Sequence, residues 1–569
     1  MDKPNPPNLP SVLAPSDIIP AMEKIISKFH QMKENMAEVA NETQGQLGMI
    51  WLLSYAAPDQ EAHDAVDAVD RLFSNAVATW TSRTDLFVLS RAAADKDEEL
   101  DPESRLWIQS KLSDFISAGH GLADEKTIKQ YLSKRSVIDQ LRKQYNNNLR
   151  NNNAGLWIDE ADLVGVPESN MKSWTIGCDG NNGKRFVPFA NGGYKTVMAR
   201  AHKEKTRERM YLAEEAKAPA NVDILRNIIS MRDSQARLLI FDNHGSFRIQ
   251  NRAIKSTEYV EKFLEQLKRS LVPHGRDELQ ALRQIRDEHR LLMENAANCD
   301  DFTENDRFYL WDLEYCKRIH SLRSQIDDVE ISQFFPLEHT VLAMLRLFES
   351  FLGLKFIRIS SDHLDPAWIW HEDVQIWEAW DEEETEFIGF LYLDILWHEN
   401  KYQGSQNVNI ESGYLKPDGT RNFPATEYTP WSQAITYSGV SFFDLKIHTP
   451  QTHEEIEQVD LGKLWYNLRE EIEGLDMTRS RAVGHEQATF SHLLSGYDMG
   501  YYGYLSCQAY AQDVFQENFA KDLHNQGALD RFRYGILEYG GCHPDLLQML
   551  QDYLGREPNY SALQENLLL

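Results

Sequence analysis

STEYVEKFLEQLKRSL, residues 256–271, carries Tyr259, Val260, Phe263, Leu264, Leu267 and Leu271 at recurring intervals of three and four, so on a helix they share one face. Ser256 stands just before the first apolar residue, where a hydroxyl caps the free backbone N–H groups of a helix start. The same rhythm occurs upstream, where Met22, Ile25, Ile26, Phe29 and Met32 line one stripe from Ala21 onward. Repeated along the chain, this pattern predicts a mainly helical protein.

Two stretches depart from the helical period. WTIGCDGNNGKRFVPF, from Trp174, sets two short runs around Asp-Gly-Asn-Asn-Gly and predicts a β-hairpin. GLKFIRIS, from Gly353, and EFIGFLYLDIL, from Glu386, predict a small sheet around residues 354–395. The acidic end of the intervening WIWHEDVQIWEAWDEEE reads as a solvated turn. YNNNLRNNNAG, from Tyr145, disfavours helix and predicts a connection, because Asn side chains compete for backbone hydrogen bonds. No fixed-period repeat supports a solenoid.

A chain of 569 residues exceeds what one hydrophobic core fills, roughly 250–300 residues, so at least two lobes are expected. Its 42% apolar residues suffice to build those cores. The balance of 88 acidic against 59 basic residues gives a formal charge of −29, which repels nucleic-acid phosphates and anionic membrane surfaces. Cys178, Cys299, Cys316, Cys507 and Cys542 form no CxxC pair, so they read as reduced, structural thiols of a cytoplasmic protein. The proline-rich start lacks a basic segment followed by an apolar run, and residues 1–20 are expected to form a flexible tail rather than a signal peptide. No window is apolar for the roughly 18 residues that a membrane-spanning helix needs.

HLLSGYDMGYYGYLSCQAYAQDVF, from His492, resembles the signature of the thimet oligopeptidase and saccharolysin family of zinc metallopeptidases. The resemblance continues in family order through GLWIDEADLVGVP (from Gly155), RERMYLAEEAK (from Arg207), WDLEYCKR (from Trp311), WHEDVQIWEAWD (from Trp370), GFLYLDILWHENKY (from Gly389), GYLKPDGTRN (from Gly413) and LGREPNYSAL (from Leu554). It implies a zincin-like oligopeptidase fold, in which two helical lobes enclose a deep channel that admits short peptides. It also implies that His492, Tyr497, Tyr501 and Tyr504 line that channel opposite the zinc, where they bind the substrate carbonyl and the oxyanion.

The family's zinc is bound by HExxH on a helix, because residues four apart share a face and both imidazoles reach one ion while the Glu acts as base. No HExxH occurs in this sequence. After GTRNFPA, ending at Ala425, the family order would enter that motif; here TEYTPWSQAITYSGVSFFD leads directly to LKIHTPQTHEE, which resembles the segment after the zinc site. On the order of a hundred residues, several helices' worth, are missing by that comparison. Removing them should expose apolar faces in the C-terminal lobe.

The histidines present do not replace the motif from one helix. His448 and His453 differ by five positions, which turns about 500° and leaves their side chains some 140° apart. Thr452 with Glu455 fits a capping box instead. His485 and His492 share a face but are separated by roughly 10.5 Å of helix rise, too far for two nitrogens each about 2.1 Å from one zinc. His371-Glu372 and His398-Glu399 read as surface or hydrogen-bonded histidines. A metal site assembled from several loops is the alternative.

The expected organisation is a tail (1–20), an N-terminal helical region (21–155), a middle region with the hairpin that completes the first lobe (156–345) and a catalytic-type C-terminal lobe (346–569), incomplete between about 425 and 440. The expected function is that of the oligopeptidase lineage, hydrolysis of short peptides with zinc, with the chain as written inactive. The abrupt join at Ala425 points to a coding segment lost from the gene model. The alternative is a non-catalytic peptide-binding protein on the same scaffold.

Overall fold

The computed structural model describes residues 6–566 apart from 7–8, 32–35, 97–98, 123, 151–153, 191, 251, 297–306, 324–327, 361, 363, 402–405, 416–420, 423–424, 430–436 and 542. The chain is mainly helical, as its periodicity predicts, and divides into two compact units, each built from separated stretches of sequence.

One unit comprises Gly121–Phe334, Ile435–Leu523 and Asp545–Leu569. Its long helix Thr257–Ala296 buries Val260, Phe263, Leu264 and Leu267 to 1% exposure, and the Ser256 hydroxyl accepts the Tyr259 N–H at 3.2 Å. Those residues share one core with Phe443 of the helix Tyr437–His448 and Trp465 of the helix Leu461–Glu473. The predicted hairpin is present: β2 (Thr175–Ile176) and β3 (Lys184–Pro188) pair antiparallel, with Thr175 opposite Phe186. Strand β1 (Gly155–Asp159) adds to the other side of β3, giving the order β1-β3-β2.

The Asn-rich connection is corrected by the helix Glu125–Arg150, which runs through Asn146, Asn147 and Asn148. Tertiary hydrogen bonds override the weak helix preference of Asn. Asn148 donates to the Asn221 side chain at 2.8 Å, and Asn221 donates to the Tyr145 carbonyl at 3.2 Å.

The other unit comprises Met1–His120, Phe335–Ala434 and His524–Pro544. Its sheet contains β4 (Leu354–Arg358), β5 (Gln375–Asp381), β6 (Phe387–Leu393), β7 (Gln406–Glu411) and β10 (Ala425–Thr429), in the order β4-β5-β6-β10-β7. A separate two-stranded ladder joins β8 (Tyr414–Leu415) and β9 (Arg421–Asn422). Alternation along the strands supplies two apolar faces. Ile376, Trp380 and Tyr392 pack toward the helices Pro15–Gln31, Met36–Ala56 and Gln60–Thr81, whereas Trp377 and Leu393 pack toward the helix Leu337–Leu352.

The first of those helices begins inside the stretch expected to be a tail. Pro15 is tolerated at a helix start, and Ile18, Met22 and Ile25, on one stripe, are buried to 1% exposure or less. The side chain of Phe29 and residue Met32 lie outside the described residues, as do Cys299, Cys542 and residues 430–436 of the join. On the far side of that join, Val440, Phe442, Phe443, Leu445 and Ile447 are all buried, while Leu347, Phe348, Leu396, Trp397, Phe515 and Leu523 of the C-terminal lobe are exposed. No helix among the described residues is long and apolar enough to cross a membrane.

Candidate functional site

His492, Tyr497, Tyr501 and Tyr504 come together on an irregular segment leading into the helix Gly503–Asn518. Ser491–Leu494 is a single 3-10 turn, and the N–H groups of Ser495 and Tyr497 both donate to the His492 carbonyl, at 3.0 and 3.2 Å. Gly496 (φ 97°) and Met499 (φ 52°) then turn the backbone through left-handed conformations. The glycine adopts this at little cost; Met499 must be held there by its surroundings.

The four side chains form one aromatic group. The Tyr497 and Tyr504 rings stack at 5.6 Å with 9° between planes, while Tyr501 meets Tyr504 edge-on at 5.1 Å. The His492 ring lies 5.4 Å from that of Tyr497 and stacks on Phe490 at 5.0 Å. Tyr497 is exposed whereas Tyr501 is buried, so the group presents one wet edge over a packed base. Burial lowers the His492 pKa below its ordinary value, which favours a neutral imidazole able to donate one N–H.

Beneath this group lies a buried polar network absent from the sequence reading. Asp444 accepts the backbone N–H groups of Met499, Gly500 and Tyr501 at 2.8, 3.0 and 3.0 Å. Asp498 accepts from His244 Nε2 at 2.8 Å and has Arg248 at 2.8 Å and Arg232 at 3.7 Å. Burial alone would raise the Asp498 carboxyl; Arg232, ahead of His244 and Arg248, reverses this and holds it well below the usual carboxylate range. Burial also pushes His244 down to about 3, against the attraction of Asp498. Arg232 donates to the Leu493 carbonyl at 2.8 Å and Arg252 to the Gly496 carbonyl at 2.7 Å, fastening the segment at two points ahead of Tyr497. A sequence signal existed for one member, since Asp444 and His448 are four apart on one helix face.

The described residues do not fit a zinc site. His448 Nδ1 donates to Asp444 at 2.8 Å, and its Nε2 lies 3.4 Å from Arg232 Nη1, so both ring nitrogens are engaged and a cation there would meet a guanidinium. His453 Nδ1 bonds Asp233 at 2.8 Å at the start of a helix that Thr452 caps. The capping box takes a shifted form: Thr452 accepts the Glu455 N–H at 3.3 Å, while Glu455 reaches the Gln451 N–H at 2.8 Å. His371 and His398 stack at 4.2 Å, His371 accepting the Asp373 N–H at 3.2 Å and His398 lying 3.4 Å from Asp394. Among the described residues no group of three or more His, Cys, Asp or Glu could hold a metal ion.

The model of peptidase family M3 matches residues 197–429 and 432–569. The chain belongs to peptidase family M3. The match breaks between residues 429 and 432, a few positions after Ala425. Among family M3 relatives, saccharolysin of Saccharomyces cerevisiae is 24% identical over 97% of this chain and 93% of its own. That alignment runs over 679 positions, more than this chain's 569 residues can fill, so the relative carries residues with no counterpart here. Oligopeptidase A of Escherichia coli is 24% identical, with 98% of this chain and 97% of the relative covered. A solved structure of PZ peptidase A with an inhibitor covers 100% of this chain and 96% of its own at 11% identity, with a TM-score of 0.47.

Proposed function

We propose that this chain binds short peptides through the His492–Tyr497–Tyr501–Tyr504 group and, lacking HExxH, does not hydrolyse them with zinc. The observation that carries the reading is the fixed geometry of that group: Asp444 and Asp498 hold its backbone while its outer edge stays accessible. A peptide carbonyl is an acceptor, and phenol O–H and neutral imidazole N–H groups are donors that suit it. In the oligopeptidase lineage the same donors would face the oxygen on which negative charge develops, where such groups contribute most. In the chain as written they bind and orient. The scattered cysteines without a CxxC pair support a cytoplasmic location, and the strongly acidic composition supports the absence of nucleic-acid and anionic-membrane partners.

The test pairs two measurements on the recombinant chain. A fluorescein-labelled peptide of roughly ten residues should show saturable binding by anisotropy. A quenched fluorescent version should remain uncleaved with zinc supplied. Chelator-sensitive turnover above a blank would overturn the second half, and absence of saturable binding the first.

The interruption of the family match between residues 429 and 432 favours a second reading, that a coding segment was lost and the complete form is a zinc oligopeptidase. The genomic DNA between the codons for Arg421 and His448 decides between them. An open frame encoding HExxH supports the complete enzyme; a continuous coding sequence without it supports the peptide-binding protein.

A further inference from the structure

Asp444 lies on the helix Tyr437–His448, the first described element after the interruption of the family match, and its carboxylate is directed into the tyrosine segment rather than toward a cation. Both oxygens are used. Oδ1 takes the Met499 N–H and His448 Nδ1, and Oδ2 takes the N–H groups of Gly500 and Tyr501. The Gly500 N–H is shared with the Tyr497 carbonyl at 2.9 Å. Residues 499–501 belong to no regular element that could pair their N–H groups, and Met499 occupies a left-handed conformation that L side chains rarely adopt. One carboxylate from a distant helix thus sets the backbone from which Tyr501 projects and on either side of which Tyr497 and Tyr504 stack.

We infer that Asp444 is a positioning residue: by gathering these three N–H groups it holds the tyrosines in the arrangement that receives a peptide. This rests on the peptide-binding reading above. It also explains how the tyrosine group keeps its geometry when the family's metal-bearing segment is missing, because the anchor lies beyond the join. Asp498 cannot substitute, since it belongs to the same segment and reaches outward to Arg232, His244 and Arg248.

Hydrogen exchange read by mass spectrometry on the full chain, together with peptide anisotropy, tests the inference. In the wild type, the amides of residues 499–501 should exchange as slowly as those of the Tyr437–His448 helix, although they lie outside any helix. Exchange at ordinary loop rates would overturn it, and this result needs no variant. Asp444→Asn replaces one accepting oxygen with an NH2 that cannot accept, so exchange over residues 497–504 should quicken, and peptide affinity fall, each by roughly tenfold or more. Asp312→Asn is the control: Asp312 is equally buried but pairs with Arg207 elsewhere, so that variant should lower the melting temperature and leave both readouts unchanged. If Asp444→Asn quickens exchange but leaves affinity intact, the positioning role is wrong. If the wild type binds no peptide, the functional reading fails, while wild-type exchange still supports or overturns Asp444 as the anchor.

Discussion

His244 and Asp498 are 254 residues apart in sequence and 2.8 Å apart in the fold, a hydrogen bond that ties the short helix His244–Ile249 to the segment bearing the tyrosines. Both residues are buried, and Arg232 and Arg248 approach the same carboxylate. The charge on Asp498 is therefore compensated by cations while His244 stays neutral and donates through Nε2, a tautomer set by the network itself.

The first prediction is an acid-labile contribution from this pair. His244 falls to about 3 in the folded chain but titrates near 6.5 when unfolded, so between those values the unfolded state binds the extra proton. Its contribution is fully present above 6.5 and is lost as pH falls toward 3; Asp498, depressed below its ordinary value, has the same sign at lower pH. Melting curves from pH 7 to 4 should fall less steeply in His244→Gln, which can still donate to Asp498. The difference should be on the order of a few kcal/mol. His202, His289 and His492 are also lowered and remain in the variant, so the slope is reduced rather than abolished. Parallel curves for the two proteins would remove His244 as the cause.

Much of this fold is legible locally. The stripe from Val260 to Leu267 buries because period 3.6 needs no distant partner to be recognised, and the acidic turn after Trp380 closes as expected, with Thr385 and Glu386 N–H groups on Asp381 at 2.6 and 2.7 Å. Strand β5 is not legible, because Gln375, Ile376 and Trp377 are all buried and give no alternation. The helix through Asn146–Asn148 is set by Asn221, and the helix from Pro15 by burial of Ile18; neither contact can be read from its own segment. The tyrosine group is reached through the family resemblance of the segment from His492, not from its residues alone, which read equally as an aromatic packing cluster. Asp444, His244 and Arg232, which hold it, are brought in from other parts of the chain; the four-residue spacing of Asp444 and His448 is a local signal for that pair alone, and nothing local joins any of the three to the tyrosines.

The helix Met36–Ala56 and strand β7 approach backbone to backbone, and the second prediction tests that contact. A Cβ on Gly48 would lie 2.1 Å from the Ile410 carbonyl oxygen, an atom fixed in the sheet. Gly→Ala in a helix ordinarily stabilises by about 1 kcal/mol; here the clash should reverse the sign and cost roughly 1–3 kcal/mol in a denaturant titration. Gly45→Ala, on the same helix, meets only the movable Glu411 side chain at 3.2 Å and should be neutral or stabilising. Equal effects from the two substitutions would refute the close approach.

A third prediction concerns the buried carboxyl of Glu215, which accepts the Tyr466 hydroxyl at 2.5 Å. Burial, followed by the charge of Glu486, raises its pKa well above the ordinary range, with Arg469 opposing. A raised carboxyl stabilises the fold fully below its unfolded pKa and loses that contribution as pH rises through the folded one. Glu215→Gln keeps an acceptor for Tyr466 without titrating. It should therefore match the wild type near pH 4 and melt higher at pH 8 to 9. A variant less stable at every pH would show that Glu215 is ionised in the fold.

The last prediction separates the hydroxyl of Tyr504 from its ring. The ring stacks on Tyr497 and meets Tyr501 edge-on, so Tyr504→Phe preserves both contacts and removes one O–H. If that O–H donates to a bound peptide carbonyl, affinity should fall roughly three- to tenfold, the range of one neutral hydrogen bond, with little change in melting temperature. Tyr504→Ala removes the ring as well and should lower both affinity and melting temperature, because Tyr497 loses its stacking partner. Peptide anisotropy and thermal melts on the two variants give four numbers that distinguish the roles. A Phe variant that binds like the wild type would assign Tyr504 to packing alone and leave His492 and Tyr497 as the donors to be tested next. A Phe variant that melts markedly lower would instead place the hydroxyl in an internal bond, because loss of a donor to a ligand cannot destabilise the free protein.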